Sequence, residues 1–167
     1  MFDNKIYFDW SPTVIVISVC VFLLLAGTIG VVLHRLFSDK PVRLVSWNGL
    51  AALICIAVTV ALVVGIPVSF SYGPGGLRIN AILSTTTIPR ADIESVRVID
   101  FKDLGSVSRI NGSGGAGGYY GKFHSSVIGD YKSYVSNLSD PLLAVTTPDG
   151  IYVINAKNAP TIAHALQ

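Results

Sequence analysis

Apolar residues fill the first seventy positions in two long blocks, then give way to short alternating runs. Residues 13–33 (TVIVISVCVFLLLAGTIGVVL) are 21 positions without a charge, and residues 49–70 (GLAALICIAVTVALVVGIPVSF) are 22. A helix rising about 1.5 Å per residue needs about 20 apolar residues to cross the hydrocarbon core of a bilayer. Both blocks reach that length. The pattern predicts a two-helix transmembrane hairpin over residues 1–70, with spans at about 13–33 and 49–70, and a water-facing domain over 71–167. The leader MFDNKIYFDWSP sets one lysine against two aspartates, and no small-residue cleavage site follows the first block. That block therefore reads as a retained span and not as a removed signal.

The flanks carry interface markers. Tyr7, Phe8 and Trp10 precede the first block, Trp47 precedes the second, and Phe70 and Tyr72 close it. Aromatic rings with a polar edge favour the headgroup zone. The connecting segment 34–47 holds Arg35, Lys40 and Arg43, whereas the tail holds only Lys5. The positive-inside rule puts that loop in the cytoplasm and the domain 71–167 outside, in an integral membrane protein. The reverse topology follows if the domain folds before insertion. Ala57, Ala61 and Gly65 recur every four residues, a spacing that packs helix against helix within the hairpin or between copies. With no Asp, Glu, Lys or Arg in either block, the usual mark of an ion pathway is missing.

Past residue 70 the runs are strand-like. Residues 77–83 (LRINAIL) alternate at first, after the turn signal Gly73-Pro74-Gly75-Gly76. Residues 93–99 (IESVRVI) are β-branched and mixed, and Pro148-Asp149-Gly150 joins two β-rich runs as a hairpin turn. Asn158-Ala159-Pro160 starts a closing helix whose apolar face is Ile162, Ala163 and Leu166. The fold class is α+β.

Composition agrees. The chain is 51% hydrophobic and 13% charged, with mean hydropathy +0.59, against about 25% charged in ordinary soluble domains. A net charge of +2 gives no drive toward nucleic acid. Cys20 and Cys55 both lie in the apolar blocks, so the domain has no thiol for a disulfide or a zinc site.

From Leu77 to Leu166 the chain resembles the bacterial pleckstrin-homology-like domains. The stretches that carry the resemblance are Thr87-Ile88-Pro89-Arg90-Ala91-Asp92-Ile93-Glu94, Gly114-Gly115-Ala116-Gly117-Gly118-Tyr119-Tyr120-Gly121-Lys122-Phe123, Ile128-Gly129-Asp130-Tyr131, and the hairpin around Asp149-Gly150. The resemblance implies two preceding spans and a strongly bent, seven-stranded sheet or partial barrel with a C-terminal helix plugging one end. It implies no shared catalytic residues. Phosphoinositide binding needs several converging cations, and the first strands offer only Arg78 and Arg90.

The remaining motifs are weak. Gly112-Ser113-Gly114-Gly115-Ala116-Gly117 satisfies G-x-G-x-x-G, but the following Tyr119-Tyr120-Gly121-Lys122-Phe123 is not helix-like, as a dinucleotide fold requires. A turning loop between strands fits better. Gly117, Gly118, Tyr119, Tyr120, Lys122 and Phe123 form a candidate binding loop for a peptide or lipid surface, unless the rings are buried in the core. His124 and His164 lack companion ligands, and Asp100 with Asp103 reads as a solvated turn. No catalytic residue, cofactor or metal site is expected. The function expected is a membrane-anchored, non-enzymatic module that holds a protein partner or self-associates. A membrane-surface lipid sensor and a small membrane enzyme are the alternatives.

Overall fold

The computed structural model describes residues 4–37 and 47–167. Strand β1 (Asn4–Tyr7) precedes helices α1 (Pro12–Phe37) and α2 (Trp47–Val64). Nine strands follow: β2 (Pro67–Gly73), β3 (Gly76–Ala81), β4 (Thr85–Pro89), β5 (Ser95–Ile99), β6 (Val107–Gly115), β7 (Gly118–Ser125), β8 (Gly129–Val135), β9 (Leu142–Thr147) and β10 (Gly150–Asn155). Two 3-10 turns, Arg90–Asp92 and Phe101–Leu104, flank β5, and helix α3 (Ala159–Leu166) closes the chain.

Helix α1 begins where Pro12 supplies a fixed φ and Ser11 caps the first turn, its Oγ accepting the Val14 N–H at 3.3 Å. Its stretch Pro12–His34 is the one helix long and apolar enough to cross a membrane among the described residues. The second apolar block departs from expectation. Its predicted span of 49–70 stops at Val64, because Pro67 removes a helical donor and the chain turns into β2. Segment 38–46, which contains Lys40 and Arg43 of the expected cytoplasmic loop, lies outside the described residues.

The strands form two sheets. One runs β1-β2-β3-β4, antiparallel throughout, and the other runs β5-β9-β10-β8-β7-β6. Only β8 and β10 pair in parallel in the second sheet. Nine strands in residues 67–155 thus replace the seven implied by resemblance. The boundary expected between residues 70 and 71 falls inside β2, which pairs with β1 ahead of the helices. That pairing draws Phe8 and Phe70 into the core, 7% and 0% exposed with ring centroids 5.3 Å apart, and away from the headgroup position expected of them.

The main core lies between the sheets. Phe70, Leu77 and Ile79 of the first meet Leu143, Val145 and Ile154 of the second. Helix α3 lays Ala159, Ile162, Ala163 and Leu166 onto this core, as its periodicity predicts. The β9–β10 hairpin turns on Gly150 at φ +123°, a conformation that favours glycine.

Candidate functional site

The glycine-aromatic segment is a strand hairpin. Gly115 pairs with Gly118 across its tip, and β7, not a helix, follows, so it lacks the strand–loop–helix context of a dinucleotide site. Of the candidate loop residues, Gly117, Gly118, Tyr120 and Phe123 are buried, Tyr119 is half-buried, and Lys122 is exposed. The tip rests against the helices. The Gly117 N–H donates to Ser18 Oγ of α1 at 2.8 Å, and Ser18 in turn donates to the Val14 carbonyl at 2.5 Å. A side chain on Gly117, which sits at φ +71°, would meet Ile66 at 2.6 Å. Tyr120 packs where a Cβ on Gly65 would stand, 2.6 Å away.

The segment entering α1 is tied down as well. The Phe8 N–H donates to the Val68 carbonyl at 3.1 Å, and the Ser11 N–H donates to the Ser136 carbonyl at 3.3 Å. Ser136 Oγ donates to the Asp9 carbonyl at 2.8 Å, while Asn155 Oδ1 accepts the Ser136 N–H at 2.8 Å. Lys157 forms an ion pair with Asp9, which raises the lysine pKa by hydrogen bonding and then by charge. Two separated stretches of the domain, the tip and the β8 end, therefore grip the base of α1.

The six-stranded sheet is apolar on both faces. Leu143, Val145 and Ile154 point to the main core, and their neighbours Leu142, Ala144 and Val153 point away from it into a second cluster with Leu104, Phe123 and Tyr131. Register explains the grouping. Arg109 opposes Phe123, which opposes Tyr131, and Gly114 opposes Tyr119, which opposes Val135. The rings of Phe123 and Tyr131 stack at 5.9 Å. Burial pushes the Tyr131 phenol up to about 12, so it stays neutral over the physiological range.

This second face is not fully covered. Between it and the turn Phe101–Leu104 runs a half-open groove of about 210 Å³, walled by Leu104, Tyr119, Phe123, Tyr131 and Leu138. Among the described residues, Arg109 is the one charged residue lining it. The groove escaped the sequence reading. Its signal is the unbroken apolar run Leu142-Leu143-Ala144-Val145, which marks a strand buried on both sides.

The other flagged residues have local roles. His124 Nδ1 lies 2.6 Å from Asp130 Oδ1, an exposed cross-strand pair between β7 and β8. Asp100 and Asp103 form a capping box on the 3-10 turn, with Asp103 Oδ2 accepting the Asp100 N–H at 2.8 Å. His164 is exposed on α3. Among the described residues, no three of His, Cys, Asp and Glu converge as metal ligands would.

Two packed sheets closed by a C-terminal helix, with a groove on the outer face of one sheet, make up the β domain. A family model described as a bacterial PH domain matches residues 68–167, and the chain belongs to that family. Comparison with curated proteins and with solved structures finds no match.

Proposed function

We propose that the chain is a membrane-anchored binding module without catalytic activity, in which α1 and α2 cross the bilayer as a hairpin and the PH domain holds a protein partner or a second copy of itself. One observation carries the anchoring. The window of α1 that qualifies as a span has mean hydropathy 2.8, yet only 11% of it is buried within the protein. Leu23, Leu24 and Val31 are 67%, 72% and 56% exposed. Leaving that much apolar surface in water costs about 25 cal/mol for each Å², whereas a bilayer removes the cost. Helix α2 packs beside α1 and supports the hairpin reading.

The domain offers β6 as an edge, paired only with β7 among the described residues and exposed from Ser108 to Gly112. An added strand from a partner or a copy would satisfy its outer backbone groups. Crosslinking of the full chain in native membranes tests the reading. A discrete adduct, lost when Ile110 is replaced by proline, is expected. Monomer alone, with no co-purifying protein, contradicts it. The lipid-surface reading is favoured by a separate observation, the groove beside Arg109. The domain lies outside the cell in this account, by the loop charges already described.

A further inference from the structure

We infer that the groove on the outer face of the six-stranded sheet binds one hydrocarbon chain of an anionic amphiphile, such as a fatty acid, with Arg109 reading the head group. The inference rests on the anchoring half of the proposed function, because the bilayer supplies the chain.

Size and chemistry select the ligand. A cavity of about 150 Å³ lined by aliphatic and aromatic side chains stays dry and binds benzene. The groove here holds about 210 Å³ between Leu104, Tyr119, Phe123, Tyr131 and Leu138. That exceeds the benzene case yet falls short of the roughly 300–1,000 Å³ of sites for drug-sized molecules. By proportion to benzene's six carbons, a stretch of about eight carbons of one alkyl chain fits, the rest staying outside the half-open groove; a folded peptide segment does not fit.

Charge sets the orientation. The β6 ladder shifts register between Arg109 and Asn111, and a bulge of this kind re-aims the neighbouring side chain. The Arg109 guanidinium runs forward along β6, its Nη1 3.7 Å from where a Cβ on Gly114 would stand. Among the described residues, no carboxylate forms an ion pair with it. A lone exposed guanidinium over an apolar slot pairs well with one carboxylate or phosphate, whose charge stays at the rim while its chain enters.

Position delivers the ligand. Gly115, next to Gly114, would carry a Cβ 3.5 Å from Ile17 of α1, and Gly117 bonds to Ser18. Ser18 lies six residues past Pro12, or about 9 Å along the helix. The hairpin tip thus reaches the outer edge of the hydrocarbon when α1 spans the membrane, and the Arg109 end of the groove adjoins that edge. The groove's other end, at Phe101 and Val107, points away from the tip.

Photolabelling tests this with the full chain in discs of neutral phosphatidylcholine, using palmitic acid that carries a chain-borne diazirine, and a diazirine alcohol of equal length as the neutral control. The expected adducts fall on Tyr119, Phe123 or Leu138. Arg109→Gln lowers acid labelling about tenfold at limiting probe and leaves alcohol labelling as in the wild type. Val107→Trp, which fills the far end of the groove, removes both signals while the circular dichroism stays native. Adducts confined to α1 and α2, or equal acid labelling of Arg109→Gln and wild type, overturn the inference. Flotation of the same sample separates the two claims. A chain retained in discs with an unlabelled groove refutes the groove alone, and a chain that never enters discs refutes the anchoring and the delivery route together.

Discussion

Helices α1 and α3 are both rich in apolar residues, and the structure treats them in opposite ways. Helix α3 has eight residues, and its buried set Ala159, Ile162, Ala163 and Leu166 faces one side, against the main core. His164 and Ala165 face water. Helix α1 is apolar all round, and among its described residues only Val14 and Ser18 are buried. An apolar stripe needs one partner surface, whereas an apolar cylinder needs a medium. The same burial physics therefore makes α3 a lid on a domain and leaves α1 with the exposed apolar surface on which the proposed anchoring rests.

The sharpest way to break this contrast is a matched pair of truncations. Ile162 is fully buried, and Ile162→Ala should cost about 2–5 kcal/mol in thermal or denaturant unfolding of the domain. Leu24 is 72% exposed, and Leu24→Ala should leave that transition within about 0.5 kcal/mol of wild type. Equal losses at both positions would mean that α1 is covered by protein after all.

High pH probes the second face of the sheet. Burial raises the Tyr131 phenol from 10.0 to about 12. The neutral form is favoured in the folded state, so its stabilisation is complete below pH 10 and is lost as pH rises from about 10 through about 12. The loss should reach about 3 kcal/mol at most. Tyr131→Phe should flatten the fall in stability over that window, measured by urea unfolding at pH 9 and pH 11.5. An unchanged slope would indicate that the ring is more open to solvent than the groove geometry implies.

The most local expected effect sharpens the boundary where helix and domain meet. Ser18→Ala leaves the buried Gly117 N–H without its acceptor, a cost of about 1–3 kcal/mol for an unsatisfied donor. The penalty falls on docking of the hairpin tip, so amide exchange at Gly117 and Gly118 should quicken while exchange in β9 and α3 stays slow. Uniform protection would show that the tip holds its place without α1.

Much of this was legible in the residues because local physics fixed it. The long uncharged blocks, the Asp149-Gly150 hairpin, the Asn158-Pro160 helix start and the apolar positions of α3 all follow from spacing and turn chemistry. The helix–domain joint was not legible, since Ser18 and Gly117 are 99 positions apart and nothing local pairs them. For the same reason Phe8 and Phe70 read as membrane-interface rings, although strand pairing buries them together. The end of α2 was blurred by hydropathy, which counts Gly65, Ile66 and Pro67 as apolar and ignores that proline stops a helix. The groove stayed hidden because it depends on which of two apolar faces lacks a cover, a property of the assembled sheet.

Alkaline carbonate extraction of membranes containing the full chain, followed by flotation, tests the central claim most directly. The account predicts that the protein resists extraction and rises with the lipid, and that Leu24→Arg, placing a charge near the middle of α1 at a cost of about 3 kcal/mol, lowers the floating fraction. Recovery of the wild-type chain in the soluble fraction, without detergent, would contradict it.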